Sequence, residues 1–231
     1  MVTSRLLEAF LACPVKCLML SKQEVPAGTE YSTWAIARED SYRQASVLKL
    51  AIHETKPNIA SPEPGVWKSE SWQYAVAKTV RAEGWEAEIA MIQQIPQAGS
   101  LSQFFPIRFV ANNRLTSSDK TIAAFEAIVL AKALGRKTDK AKIVYGEKQT
   151  MLTVNTAALS RTVHRKVSLV VALLSGASRP DTVINRHCPE CAFNDQCRKD
   201  AVAKDDLSLL SNLNEKERAR YRSKGIFTVF R

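Results

Sequence analysis

No apolar run in this sequence approaches the roughly 20 residues that a membrane-crossing helix needs. The first residues, "MVTSRLLEAFLACPVKC", make a poor secretion signal, because Glu8 interrupts the apolar stretch and Lys16 and Lys22 follow it. Gly-rich phosphate loops are missing, as are G-x-S-x-G and H-E-x-x-H. Their absence removes the common nucleotide-binding, esterase and zinc-protease signatures. No internal repeat is visible. Cysteines number 5, an odd count that argues against a closed disulfide framework. These absences together point to a cytoplasmic protein with reduced thiols and no membrane partner.

What is present is cationic. Lys and Arg total 33 against 23 Asp and Glu, a formal charge of +10. Such an excess favours a polyanionic partner, most often DNA or RNA. Apolar residues make up 45% of the 231, enough for a real core in one large domain.

Periodicity divides the chain. Leu6, Leu7, Phe10 and Leu11 recur at helical spacing, Pro14 suits the first turn of a new helix, and Tyr31 to Ile52 reads as a second long helix. The Pro-rich stretch Lys56 to Trp67 reads as a linker or surface loop. "WQYAVAKTV" and "EAEIAMIQQI" alternate like strands of a hairpin turning at Glu83-Gly84. "FFPIRFVA" makes a third strand, with Pro106 expected at its start or at an edge. A helix capped by Thr116 or Ser117 ends at Gly135, a hairpin turns near Gly146, and another helix runs from Asn155 or Thr156 to Gly176. Helices flanking a mostly antiparallel patch of strands give the class α/β or α+β.

Three of the cysteines sit in "HCPECAFNDQC" with the spacing C-x2-C-x5-C: Cys188, Cys191 and Cys197. Three thiolates in one tight loop repel each other, and a metal is the usual way to neutralise them. A fourth ligand is expected from Cys13 or Cys17 at the other end of the chain; His187 is nearer but directly abuts Cys188. Zn2+ and an iron–sulphur cluster both suit four sulphurs. Closing Cys13 on Cys188 clips a loop of about 175 residues, worth on the order of 5 kcal/mol by loop-entropy reasoning.

"LLEAFLACPVKC" followed late by C-x2-C-x5-C resembles the RecB-like nucleases of the PD-(D/E)XK superfamily that carry an iron–sulphur staple, among them AddB-type nucleases and CRISPR-associated exonucleases. "HCPECAFNDQC" with "DDLSLLSNLNEKERARYRSKGIFTV" resembles one branch, the uncharacterised RecB-like nucleases of bacteria. The resemblance implies a restriction-endonuclease-like core over residues 1–203 and a helical tail over 204–231. It also implies a [4Fe–4S] cluster on Cys13, Cys188, Cys191 and Cys197, with Cys17 spare. The branch usually continues into a ribonuclease H-like domain, so for a chain ending at "GIFTVFR" the resemblance implies a module that stands alone, a truncation, or one that works with a separately encoded catalytic partner.

The family's nuclease centre needs an Asp on one strand and Glu-x-Lys on the next. Laid on that pattern, this sequence puts Ala90 at the Asp, Arg108 and Val110 at the Glu and Lys, and Thr121 and Phe125 at a following Gln and Tyr. A one- or two-residue slip brings in Glu88 but no acid on the second strand. Glu54-Thr55-Lys56 is the literal Glu-x-Lys, at a helix end, with His53 beside it. The expectation is a degenerate centre. An active Mg2+-dependent DNA nuclease and a protein-interaction module with structural zinc are the alternatives. In the tail, Asn214 and Glu217 form a capping box and Gly225 a stop. Arg218, Arg220, Arg222 and Lys224 crowd the helix end, where they complement its dipole or contact phosphates.

Overall fold

A computed structural model describes residues 1–26, 28–52, 59–60, 72–97, 100–210, 213 and 215–230. His53, the Glu54-Thr55-Lys56 triplet, most of the Lys56–Trp67 stretch and Asn214 lie outside the described residues. The class is α/β: a mixed sheet of seven strands among the described residues, flanked by helices.

Strands β2 (Ile59–Ala60), β3 (Tyr74–Ala82), β4 (Trp85–Gln97), β5 (Ser100–Val110), β6 (Lys140–Tyr145) and β7 (Thr150–Asn155) lie side by side in chain order. The β3–β4, β4–β5 and β6–β7 pairs are antiparallel, and β2–β3 and β5–β6 are parallel. The first strand, β1 (Val2–Thr3), is parallel to the start of β4, Val2 opposite Trp85. It was not foreseen, because two residues carry no periodicity. The β3–β4 turn falls at Glu83-Gly84, both with positive φ (49° and 77°), as a tight two-residue hairpin requires.

Pro106 departs from expectation. It lies inside β5, opposite Ile92, and β5 is flanked by β4 and β6. It is tolerated because the pairing with β6 begins only at Ile107, so the missing N–H falls where that ladder has not started.

Helix α4 (Ser117–Leu134) lies on one face of the sheet. Of the two expected caps Thr116 is the one used, and it forms a box: the Asp119 N–H donates to Thr116 Oγ1 (3.3 Å), and the Thr116 N–H donates to Asp119 Oδ2 (2.7 Å). Gly135 ends it at φ 60°. Ile122, Phe125, Val129 and Leu130 meet Ala75, Ile89, Ile92 and Phe104 of the sheet. Helices α1 (Ser4–Ala12) and α5 (Ser160–Leu174) cover the far side of α4, the latter through Val163, Val167, Val170 and Leu173. The other sheet face holds Tyr74, Met91, Ile107, Phe109 and Val144, against Tyr42, Val47 and Leu50 of α3 (Glu30–Ile52).

Alternation slips once in each of β3 and β4. Ala75 and Val80 share the α4-side core although five positions separate them; Ile89 and Ile92 share it although three do. Met91 belongs to the α3 side. The slip coincides with Ala77, held at φ 51°, and reverses which residues face inward.

Candidate metal centre and neighbouring ion pairs

Cys13 is the hinge between α1 and α2 (Pro14–Ser21). Extended at φ −164°, ψ 119°, it ends the first helix and caps the second, whose first residue is Pro14. Its N–H donates to Ala9 O (2.8 Å), and its carbonyl accepts from the Cys17 N–H (3.2 Å). The late cysteines are placed by two short helical pieces. Cys188–Glu190 is a single 3-10 turn, closed by the Cys191 N–H donating to Cys188 O (3.0 Å), and Cys197 lies in α6 (Asn194–Ala203). Gly28, just before α3, steadies this segment by donating its N–H to Ala192 O (3.1 Å).

One pocket brings the two ends together. Cys13, Cys188, Cys191 and Cys197 all line it, with Ala12, Val15, Lys16, Asn185, His187 and Phe193 among its other walls. Cys188, Cys191 and Cys197 are buried, and Val15, Met19 and Phe193 make the surrounding apolar shell. Cys17 is elsewhere: at 0% exposure it faces the main core with Leu7 and Val163. All five are free thiols. Among the described residues no three His, Cys, Asp or Glu side chains converge as a ready-made site for an ion.

Burial pushes the Cys197 thiol up to about 11, and repulsion from Cys13, Cys191 and Cys188 adds to it. Burial raises Cys188 too, with Cys13 and Cys191 contributing, although the Asn185 N–H, donating to its Sγ at 3.2 Å, works the other way. Cys17 reaches about 11 through burial, then Cys13. A thiophilic cation or cluster in this pocket would offset both the burial and the repulsion that raise Cys188 and Cys197.

The region matching the nuclease strands holds different chemistry. Arg108 on β5 donates from Nη1 to Glu126 Oε1 on α4 (3.0 Å) and from Nη2 to Glu8 Oε1 on α1. Ala90 packs with the α3-side cluster, so it does not share a site with Arg108. Glu88 is exposed on β4, its N–H donating to Ser4 Oγ (3.2 Å). Thr121 and Phe125 are buried core residues of α4. Burial pushes the Glu126 carboxyl up to about 7; Arg108 pulls it down and Glu8 raises it further. Arg108 stays charged: burial opposes its charge, but Glu8, Glu126 and Asp119 outweigh that. Neither Glu8 nor Glu126 was foreseen as part of a site. The one available signal was a lone carboxylate in the apolar stretch "IAAFEAIVLA".

The tail corrects one expectation. Arg218, on α7 (Glu215–Arg222), is 8% exposed and grips Asp206 from Nε (3.1 Å) and Nη2 (2.6 Å). A guanidinium spent on a buried carboxylate is no surface contact for phosphate. Arg222 donates to Asp181 Oδ2, while Arg220 and Lys224 are exposed. Gly225 closes the helix at φ 82°, with the Ile226 N–H donating to Tyr221 O (3.1 Å). The segment then turns back, the Val229 N–H donating to Asp205 O (2.9 Å). Among the described residues no helix is long and apolar enough to cross a membrane.

No family model matches this chain, and no curated protein does. Solved structures do: 11 chains match. One, described as the crystal structure of SSO0001, aligns over 86% of this chain and 85% of its own, with 14% identity and a TM-score of 0.42.

Proposed function

We propose that this is an iron–sulphur-containing protein of the RecB-like, PD-(D/E)XK type that binds DNA or RNA in DNA processing or defence, with a degenerate nuclease centre, acting with a protein partner. The observation that carries the reading is the pocket lined by Cys13 and by Cys188, Cys191 and Cys197. Ligands from both ends of a chain are what a fold-closing centre needs, and four sulphurs with a buried apolar surround suit either a [4Fe–4S] cluster or Zn2+. A bound centre would join the α1–α2 hinge to the 188–197 segment through thiolates.

Two further features support the rest of the reading. Arg108 on β5 ion-pairs with both Glu8 and Glu126, so those two carboxylates already hold a cation. The net charge of +10, with Arg220 and Lys224 exposed on the tail, suits a polyanion.

Anaerobic purification tests the reading. The protein should be brown, with matching iron and sulphide. Colourless protein with stoichiometric zinc moves the site to structural zinc. Incubation of labelled single- and double-stranded DNA and RNA with Mg2+ or Mn2+ should give binding without product; metal-dependent cleavage lost in Glu88→Ala restores the active-nuclease alternative.

A further inference from the structure

A continuous set of hydrogen bonds leads from the tail helix to the first of the late cysteines. Arg218 donates to both oxygens of Asp206. Asp206 Oδ1 also accepts from the Ser208 N–H (2.8 Å). Ser208 Oγ accepts from the Ile184 N–H (3.1 Å). The next residue, Asn185, donates its N–H to Cys188 Sγ (3.2 Å). A second strut runs beside it: Asp181 lies 3.8 Å from Arg218 and is also held by Arg222. The stretch 181–185 entering the cysteine segment is therefore held by the tail at both ends, and Asn185 is itself a wall of the cysteine pocket.

We propose that the tail is a positioning device for the metal centre: Arg218, through Asp206 and Ser208, fixes the backbone at Ile184 and Asn185 and so orients Cys188 for metal. This rests on the reading above that the four cysteines hold a metal. The physical reason is that a ligand's affinity depends on how rigidly its outer partners hold it. Burial makes the Arg218–Asp206 pair an all-or-nothing interaction, since removing one partner leaves the other charge buried alone. Asp181 and Arg222 are more exposed and contribute less.

The test measures iron or zinc retention in the full-length protein under excess chelator, followed by visible absorbance and metal per chain. Thermal stability of the metal-free protein is recorded alongside. Arg218→Met should lose metal roughly 10- to 100-fold faster than wild type, and Asp206→Asn by an intermediate factor. Asp181→Asn, an exposed change that keeps the fold, should give an increase of about twofold. Lys132→Met, which breaks a remote ion pair with Glu83, should leave retention unchanged. A purely structural role would lower the metal-free melting temperature and leave Lys132→Met and Asp181→Asn alike in retention. Wild-type retention in Arg218→Met and Asp181→Asn overturns the positioning claim while leaving the metal reading intact. Wild-type protein holding neither iron nor zinc overturns both.

Discussion

Two buried polar clusters share this fold and treat charge in opposite ways. Around the cysteine pocket, burial with repulsion from neighbouring cysteines raises the Cys188 and Cys197 thiols, and among the described residues Lys16 is the one Lys or Arg in its walls. Around Arg108 the cation is built in: one guanidinium takes a carboxylate from α1 and another from α4. The first arrangement gathers thiols in a pocket, whereas the second is already filled by a cation of the chain's own. A divalent ion arriving at Glu8 and Glu126 would have to displace a group that loses its proton only at extreme pH.

The sharpest way to break the comparison is at the hinge. Cys13→Ser should abolish metal binding and destabilise the metal-loaded fold by on the order of 5 kcal/mol, since it opens the long loop. Cys17→Ser should keep the metal, because Cys17 faces the main core. Metal content and chemical denaturation of both variants decide it, and exchanged outcomes would reassign the ligand.

At the other cluster, Arg108→Met should cost roughly 3–5 kcal/mol, because Glu126 is left buried beside Glu8 without its partner. Titration of that variant with Mn2+ sharpens the contrast: tight binding only after Arg108 is removed would mean that the guanidinium had been standing in for an ion.

A third test uses pH. The folded Glu126 carboxyl sits near 7, against an ordinary 4.5. Between those values the native state keeps a proton that the unfolded chain has released, so this group's stabilisation is full below about pH 4.5 and is lost as pH rises through 7. Glu126→Gln should remove that decline, at most about 1.4 kcal/mol for each pH unit in the window. Melting curves from pH 4.5 to 7.5 read it. Asp181 works with the opposite sign: hydrogen bonding from Arg222 holds it below its ordinary 3.8, and its contribution disappears as pH falls further.

The smallest effect belongs to the surface. Arg220→Ala with Lys224→Ala should leave folding unchanged and reduce the salt dependence of duplex DNA binding by about one log–log unit for each phosphate no longer neutralised. Arg218→Ala, by contrast, should damage the tail itself.

Much of the scaffold was legible because its signals are local. The cap at Thr116, Gly135, the Glu83-Gly84 turn and the break at Pro14 each fix a boundary by short-range chemistry. The strand faces were less legible: the positive φ at Ala77 shifts alternation once, and nothing in "YAVAKTV" announces that an alanine takes it. That shift defeats the alignment of Ala90 with Arg108. The cysteine spacing singled out the late triplet but left Cys13 against Cys17 to resemblance, since spacing does not tell which of the two lines the pocket and which faces the main core. Charge was the least legible property. Arg218 and Arg220 stand two positions apart in a basic run, yet one is buried on Asp206 and the other is exposed.

The pocket also sets an order of events during synthesis. Cys13 leaves the ribosome early, and Cys197 is added 184 positions later. At about 5–20 residues per second, that interval is roughly 10 to 40 seconds. Until Cys188 is added, 175 positions after Cys13, the first sulphur has none of the pocket's other three beside it. The pocket is therefore completed only once residue 197 is made, and until then the Cys13 thiol lacks its full set of pocket neighbours.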